Sequence, residues 1–224
     1  MTPTSGLTVA TWNVGGSRRA EAPDLLLGLG AHVLLLTEVP PGLRLPGYRM
    51  TTFQHLTMAL GQHYAAVAVA EGLDFGELEP PSVTSAGARV GESIFISTVL
   101  PWPNAKGAAY VGATQAEQTE RCLDELEPWL AGQPSGLVWG GDWNHPLNGS
   151  LSGFTRRGHD RIATAVARLG LTAHTAESWA QETQRGRHRS IDHIASRHEQ
   201  QPARSVEGRP FSTHDAYVVD LPRP

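Results

Sequence analysis

The sequence predicts an α/β (α+β) chain in which two β-sheets pack together and carry helices on their outer faces. Three observations predict it. Residues 7–38 read as strand, helix and strand, and the second strand is the continuous apolar run of a buried element. The middle of the chain holds short strand segments punctuated by Gly and Pro, the pattern of an antiparallel meander. The later part again alternates helix, buried strand and helix, so both halves supply strands to pair and helices to cover them.

Taken in order, Leu7 to Asn13 is apolar and β-branched, and Gly15-Gly16 breaks it. Glu21 to Leu29 reads as a short helix, with Pro23 in its first turn and Gly30 past its end. His32 to Glu38 is a second strand, stopped by Pro40-Pro41. Ala65 to Ala70, Ser82 to Arg89 and Glu92 to Leu100 form the meander. Ala113 to Leu130 is the best helix: Ala116, Cys122, Leu123, Leu126, Trp129 and Leu130 fall mostly on one stripe, and Pro128 is expected to kink or shorten it. Leu137 to Asn144 is a strand ending in polar residues. Residues 145–158 read as a Gly/Ser/Asn loop and Asp160 to Leu169 as a helix. Ser190 to Ser196, Ala203 to Phe211 and Ala216 to Leu221 complete the strands.

A chain of 224 residues, 40% of them apolar, suits one large domain spanning 1–224, with no linker to divide it. Its single cysteine, Cys122, excludes an intrachain disulfide and fits a reducing compartment. No apolar run has membrane-spanning length and Met1 to Gly6 does not resemble a signal peptide, so a cytoplasmic monomer is expected. The net charge of −4 argues against indiscriminate nucleic-acid binding. The charge is uneven, however: residues 1–150 carry 7 basic and 14 acidic groups, and the remainder 11 and 8. Arg156, Arg157 and Arg161, then Arg185, Arg187, His188 and Arg189, are either solvated loops or an approach for an anionic substrate.

Polar groups close several apolar strands: Asn13, Glu38, Asp142 with Asn144, Asp192, and His214 just before the last strand. Each alone has a bland explanation, such as a turn cap or the first exposed residue. Asp142 and Asn144, two apart on an extended chain, would share a face. Asp192 between Ile191 and His193 is costly to bury unless paired, and His214 is the natural partner type. The set lacks a Cys cluster, a P-loop, a Gly-x-Ser-x-Gly elbow and a dinucleotide fingerprint. Glu38 is a hard oxygen donor suited to Mg²⁺ or Mn²⁺.

In order along the chain, Thr11-Trp12-Asn13-Val14, Thr37-Glu38, Gly141-Asp142-Trp143-Asn144, Ile191-Asp192-His193-Ile194 and Ser212-Thr213-His214 resemble the motifs of the DNase I-like endonuclease/exonuclease/phosphatase superfamily. The resemblance implies a four-layer αββα sandwich and metal-dependent phosphodiester hydrolysis at one rim. It implies that Glu38 with Asn13 holds Mg²⁺ (or Mn²⁺), that Asp142 activates water, and that Asn144 binds a phosphate oxygen. His214 would stabilise the transition state and Asp192 would orient it. Arg156, Arg187 and Arg189 could then track the phosphates of nucleic acid or another phosphodiester. Trp143, Trp179 and Trp102 could stack on bases, although core packing is the more frequent use of such residues and the favoured reading of Trp143.

Three positions depart from the family pattern. Thr213 stands where many members carry Asp, Gly15 where many nucleases carry an acid, and Val99 near a phosphate-touching His or Tyr. They keep open a binding protein with a weakened site; within the enzymes, the alternative is a phosphatase or phospholipase-type hydrolase of a small phosphoester or headgroup.

Overall fold

A computed structural model describes residues 6–15, 22–51, 56–151, 153–179 and 189–222. Along the chain the first strands are β1 (Leu7–Asn13), β2 (Val33–Val39), β3 (Tyr48–Met50) and β4 (His63–Ala70), with helix α1 (Ala22–Gly28) between β1 and β2. There follow β5 (Phe75–Leu78), β6 (Ser85–Val90) and β7 (Ser93–Thr98), then helix α2 (Gln115–Ala131) and β8 (Leu137–Asp142). Helix α3 (Arg156–Arg168), β9 (Thr172–Ala173), β10 (Asp192–Ser196), β11 (Ala203–Val206) and β12 (Ala216–Leu221) complete the order.

These strands form two six-stranded mixed sheets, β11-β12-β1-β2-β4-β3 and β5-β6-β7-β8-β10-β9. Each has one parallel pair near its centre, β1 with β2 and β7 with β8. The second sheet uses one continuous stretch of chain, β5 to β10, whereas the first takes strands from both ends. Period-two alternation sorts the side chains into layers. Val9, Leu35, Val67, Ala88, Phe95, Val138, Ile194 and Val219 meet between the sheets. Ala10, Trp12, Leu34, Leu36 and Val218 face α1 through Leu26 and Leu29. Ile96, Trp139 and Ala195 face α2 and α3 through Leu123, Leu126 and Ile162. The result is the four-layer αββα sandwich.

Several boundaries differ from the sequence reading. Helix α2 passes through Pro128 to Ala131. The proline lies in the last turns, where few intrahelical bonds remain to be lost. Helix α3 begins at Arg156, inside the expected loop. Gly158 disguised that turn as loop; a Cβ there would lie 2.5 Å from His145 Nε2, so the helix needs glycine to pass the buried imidazole. Strand β8 stops at Asp142, two residues early, because Gly141 takes φ +113° and Asn144 φ +53°. Strand β11 ends at Val206, and β5, on a weak Phe-Gly-Glu-Leu pattern, was not foreseen.

Candidate active site

The inner positions of the central strands change from apolar to polar towards one end. β1 runs Leu7, Val9, Thr11, Asn13; β2 runs Val33, Leu35, Thr37; β8 runs Val138, Gly140, Asp142. The antiparallel β10 and β12 bring Asp192 and Tyr217 to the same end. The inter-sheet core therefore ends in a polar rim. Glycines let the sheets close there: a Cβ on Gly140 would lie 2.4 Å from the His193 carbonyl oxygen and 2.7 Å from Leu35 Cδ1. A Cβ on Gly141 would lie 2.3 Å from the Thr98 carbonyl oxygen.

At the rim, Asn13 Nδ2 donates to Glu38 Oε1 at 3.0 Å and to Asp142 Oδ2 at 2.9 Å. The second contact crosses between the sheets. Alternation alone would send Glu38 to the α1 side with Leu34 and Leu36. Its φ of +49°, an uncommon conformation for a non-glycine residue, turns the carboxylate towards Asn13 instead. Asn13 Oδ1 accepts from the Gly15 amide at 2.8 Å, and Gly15 has φ +62°, which accounts for glycine at that position.

Asp142 and Asp192 are directly opposed across the β8–β10 pair. Two buried carboxylates in register repel. Burial, then Asp192, raises the Asp142 carboxyl to about 7, with Glu38 adding to the rise and His214 and Asn13 opposing it. Asp192 Oδ2 accepts from His214 Nδ1 at 2.7 Å across the sheet gap. Burial disfavours the imidazolium, but Asp192 outweighs it, and His214 rises to about 10. The imidazole is 19% exposed, so its charged edge reaches the rim surface.

Backbone contacts fix this histidine. Ser212 Oγ donates to the Asn13 carbonyl and accepts from the His214 amide at 3.1 Å, while Trp12 Nε1 donates to the His214 carbonyl at 3.0 Å. Ser190 Oγ accepts from the Asp192 amide at 3.0 Å. These positioning roles of Ser212 and Ser190 have no signal in the sequence beyond proximity to the motifs.

Asn144 lies in a turn rather than on the strand, so its same-face relation to Asp142 is replaced by an Asx turn. Its amide donates to Asp142 Oδ1 at 2.9 Å and its side-chain Nδ2 donates to the Leu100 carbonyl at 2.9 Å. Of the departures, Val99 is buried in the outer core beside Tyr110, whose hydroxyl donates to the Val99 carbonyl. Thr213 is exposed, and Asp215 accepts from the Gly208 amide at 3.2 Å, holding the loop before β12. The basic clusters divide. Arg156 is exposed at the start of α3. Arg157 pairs with Glu120, and Arg161 with Asp124 and Glu127, so both tie α3 to α2. Arg189 pairs with Glu177 and stacks on Trp179. Arg187, with Arg185 and His188, lies outside the described residues.

The donor set fits a hard divalent cation. Ligand atoms of Asp142, Asp192 and His214 lie within 4.8 Å of one another, with Glu38 joined through Asn13. Asp192 Oδ1 is buried with no hydrogen-bond partner. Three carboxylates facing one imidazolium leave negative charge that oxygen-loving Mg²⁺ or Mn²⁺ would balance.

The comparisons with known proteins bear on family and fold. The family model described as Endonuclease/Exonuclease/phosphatase matches residues 10–215. The chain belongs to the endonuclease/exonuclease/phosphatase family. No curated protein matches it by sequence. Among solved structures it resembles the endonuclease domain of TRAS1, a telomere-specific non-LTR retrotransposon. That match has 20% identity and a TM-score of 0.66, covering 96% of this chain and 98% of the other. It also resembles the 3' phosphatase NExo from Neisseria bound to product DNA hairpin, with 15% identity and a TM-score of 0.68, covering 96% and 99%. The AP endonuclease LMAP from Leishmania major matches at 15% identity and a TM-score of 0.69, covering 100% and 90%. At these identities the likeness is one of fold. Family members of this kind are hydrolytic enzymes that typically use divalent metals. No helix among the described residues is long and apolar enough to cross a membrane.

Proposed function

We propose that this family member is a divalent-metal-dependent phosphodiesterase acting on nucleic acid through in-line attack of water. The observation that carries the reading is the cross-sheet pair of Asp192 and His214 at 2.7 Å, with Asp142 directly opposite Asp192. Asp142, buried and with its carboxyl raised to about 7, accepts the proton of the attacking water. His214, held charged by Asp192, stabilises negative charge developing on the phosphoryl oxygens. Asp192 orients that imidazole through Nδ1. Asn144 keeps one side-chain N–H on the Leu100 carbonyl and offers the other to a phosphate oxygen. Glu38, with Asn13 fixing its carboxylate, would hold Mg²⁺ or Mn²⁺, and the Lewis acidity of the ion would lower the cost of charge on the phosphoryl group and leaving oxygen.

The endonucleases and the DNA-bound 3' phosphatase among the structural neighbours support nucleic acid as the substrate class. The test offers purified protein, with Mg²⁺ or Mn²⁺ and then with chelator, single- and double-stranded DNA, RNA, an abasic duplex, a 3'-phosphorylated end, a phosphoinositide headgroup and a small phosphodiester. Cleavage of an oligonucleotide that stops on chelation is expected. Turnover of the headgroup alone would replace nucleic acid with lipid, and no turnover together with no calorimetric metal binding would leave a binding protein of the same fold. Glu38→Gln is expected to raise the metal concentration giving half-maximal rate; an unchanged titration would remove Glu38 from the metal.

A further inference from the structure

At the rim the two sheets are joined side chain to side chain. Asn13 on β1 reaches Asp142 on β8, and His214, just before β12, reaches Asp192 on β10. A further link stands beside the second of these. Tyr217, three residues after His214, is fully buried on β12 at an inner position opposite Thr11 of β1. The residues that follow it on that face, Val219 and Leu221, end in the apolar core between the sheets. The phenol instead crosses to the chain that leads into β10. Its hydroxyl donates to the Trp179 carbonyl at 3.1 Å, and the Ser190 hydroxyl lies within hydrogen-bond reach of it. These two points are themselves joined, because the Ser190 amide donates to the Ser178 carbonyl at 2.8 Å. Tyr217 therefore pins the junction from which Asp192 projects.

Asp192 sits where such a pin matters. It opposes Asp142 in register, and two buried carboxylates repel. Its Oδ1 has no hydrogen-bond partner, so the carboxylate depends on the contact of Oδ2 with His214. Its main chain depends on Ser190, whose Oγ accepts from the Asp192 amide at 3.0 Å and donates to the Asp192 carbonyl at 2.6 Å. The segment carrying His214 and Tyr217 thus grips Asp192 twice, at the carboxylate and at the backbone through Ser190. One hydrogen bond fixes a distance; two from the same segment also fix an angle. The phenol suits this task. Burial, then the Asp192 charge, raises the Tyr217 hydroxyl above its ordinary value, so it stays protonated beside a carboxylate and keeps donating.

We propose that Tyr217 is a positioning residue for the hydrolytic reaction: its hydroxyl, clamping Trp179 and Ser190, fixes Asp192 so that His214 meets the phosphate at one angle. The proposal rests on the phosphodiesterase reading above and adds to it a residue that none of the sequence motifs contains. Tyr217 is buried and touches no substrate, so its effect falls on turnover rather than on binding.

The experiment uses Tyr217→Phe, which keeps the ring and its packing and removes only the hydroxyl. Its kcat is expected to fall about 5- to 50-fold, by the same factor on an oligonucleotide and on a small aryl phosphodiester, with KM for each within about twofold of wild type. Tyr48→Phe is the control. It deletes another hydroxyl of the same sheet, one that donates to the Ala31 carbonyl, and should lower the melting temperature while leaving kcat unchanged. Proton NMR adds a reading that a merely structural role would not move. The Nδ1 proton of His214, shared with Asp192, should resonate far downfield in the native protein. It should move upfield and exchange faster in Tyr217→Phe, and stay in place in Tyr48→Phe. In an Asp192→Asn background, Tyr217→Phe should cost turnover nothing more. If Tyr217→Phe does not fold, Ser190→Ala removes the other end of the link and should shift the same resonance. An unchanged kcat, a loss carried by KM, an unmoved resonance, or independent losses with Asp192→Asn overturns the proposal. Failure of the native protein to hydrolyse any phosphoester overturns the phosphodiesterase reading; the resonance, read without substrate, still decides whether Tyr217 sets the contact of Asp192 with His214.

Discussion

Asp192 and His193 are neighbours on β10, yet they face opposite sides of the sheet and opposite proton chemistry. On the Asp192 side, His214 is held charged, raised to about 10 despite its burial. On the His193 side the imidazoles are held neutral. His193 is lowered to about 4 by burial, and so is His145; His174, lowered in the same way, lies just after β9 against Ser196. The difference lies in partners. His214 has a carboxylate at 2.7 Å, whereas His193 meets the His145 carbonyl at 3.0 Å and Thr175 Oγ1 at 3.2 Å, packed against Trp143. A carbonyl dipole favours the charged ring, but at His193 by less than burial disfavours it, whereas at His214 the Asp192 carboxylate outweighs burial. One strand thus separates a histidine held charged at the rim from histidines held neutral as struts.

The largest effect should come from the rim. Asp142→Asn or His214→Ala is expected to lower turnover about 10²- to 10⁴-fold. The asparagine variant should also melt at or above the wild-type temperature, because a buried carboxylate facing Asp192 is relieved. A sharp fall in its melting temperature would make Asp142 structural. The reverse pattern is expected across the strand. His193→Ala should lose about 2–4 kcal/mol in denaturant unfolding, from the cavity and two orphaned partners, while the folded fraction keeps its kcat. A stable but inactive His193→Ala would break the division.

Acid should act on the struts. Their folded values, near 4, lie below the ordinary histidine value of about 6.5, so the unfolded chain takes up protons first as pH falls. Stability is expected to drop between about pH 6.5 and 4, on the order of 1.4 kcal/mol per pH unit for each histidine that titrates. His214 has the opposite sign: its contribution is full below about 6.5 and is lost as pH rises towards 10. Denaturant midpoints across pH should be flatter on the acid side in His174→Gln; an identical slope would remove His174 from the set. The smallest effect is expected from Arg157→Ala. Its exposed pair with Glu120 should be worth less than about 1 kcal/mol, and the salt dependence of oligonucleotide cleavage should not change.

The strands and the rim were legible for a common reason. Inner positions such as Leu7, Val9, Thr11 and Asn13 change from apolar to polar along one face, and that gradient is written in period two. What escaped depends on contacts between distant segments. The start of α3 at Arg156 depends on Gly158 passing His145, and the end of β8 depends on Gly141 passing Thr98. The aim of Glu38 depends on a positive φ that breaks the alternation from which its direction would be inferred. Within the basic cluster at 156–161, which the sequence left open between a solvated face and a substrate approach, Arg157 and Arg161 are consumed by α2 acids.

The division of the chain between the sheets has a consequence for biosynthesis. β1 is made before its antiparallel partner β12, which joins it through pairs such as Leu7 with Leu221, far along the chain. A nascent chain can assemble the β5–β10 sheet while β1 still presents an open edge on one side. The segment that closes that edge also delivers His214. The Asp192–His214 contact and protection from edge-to-edge aggregation therefore arrive together, once this segment is in place.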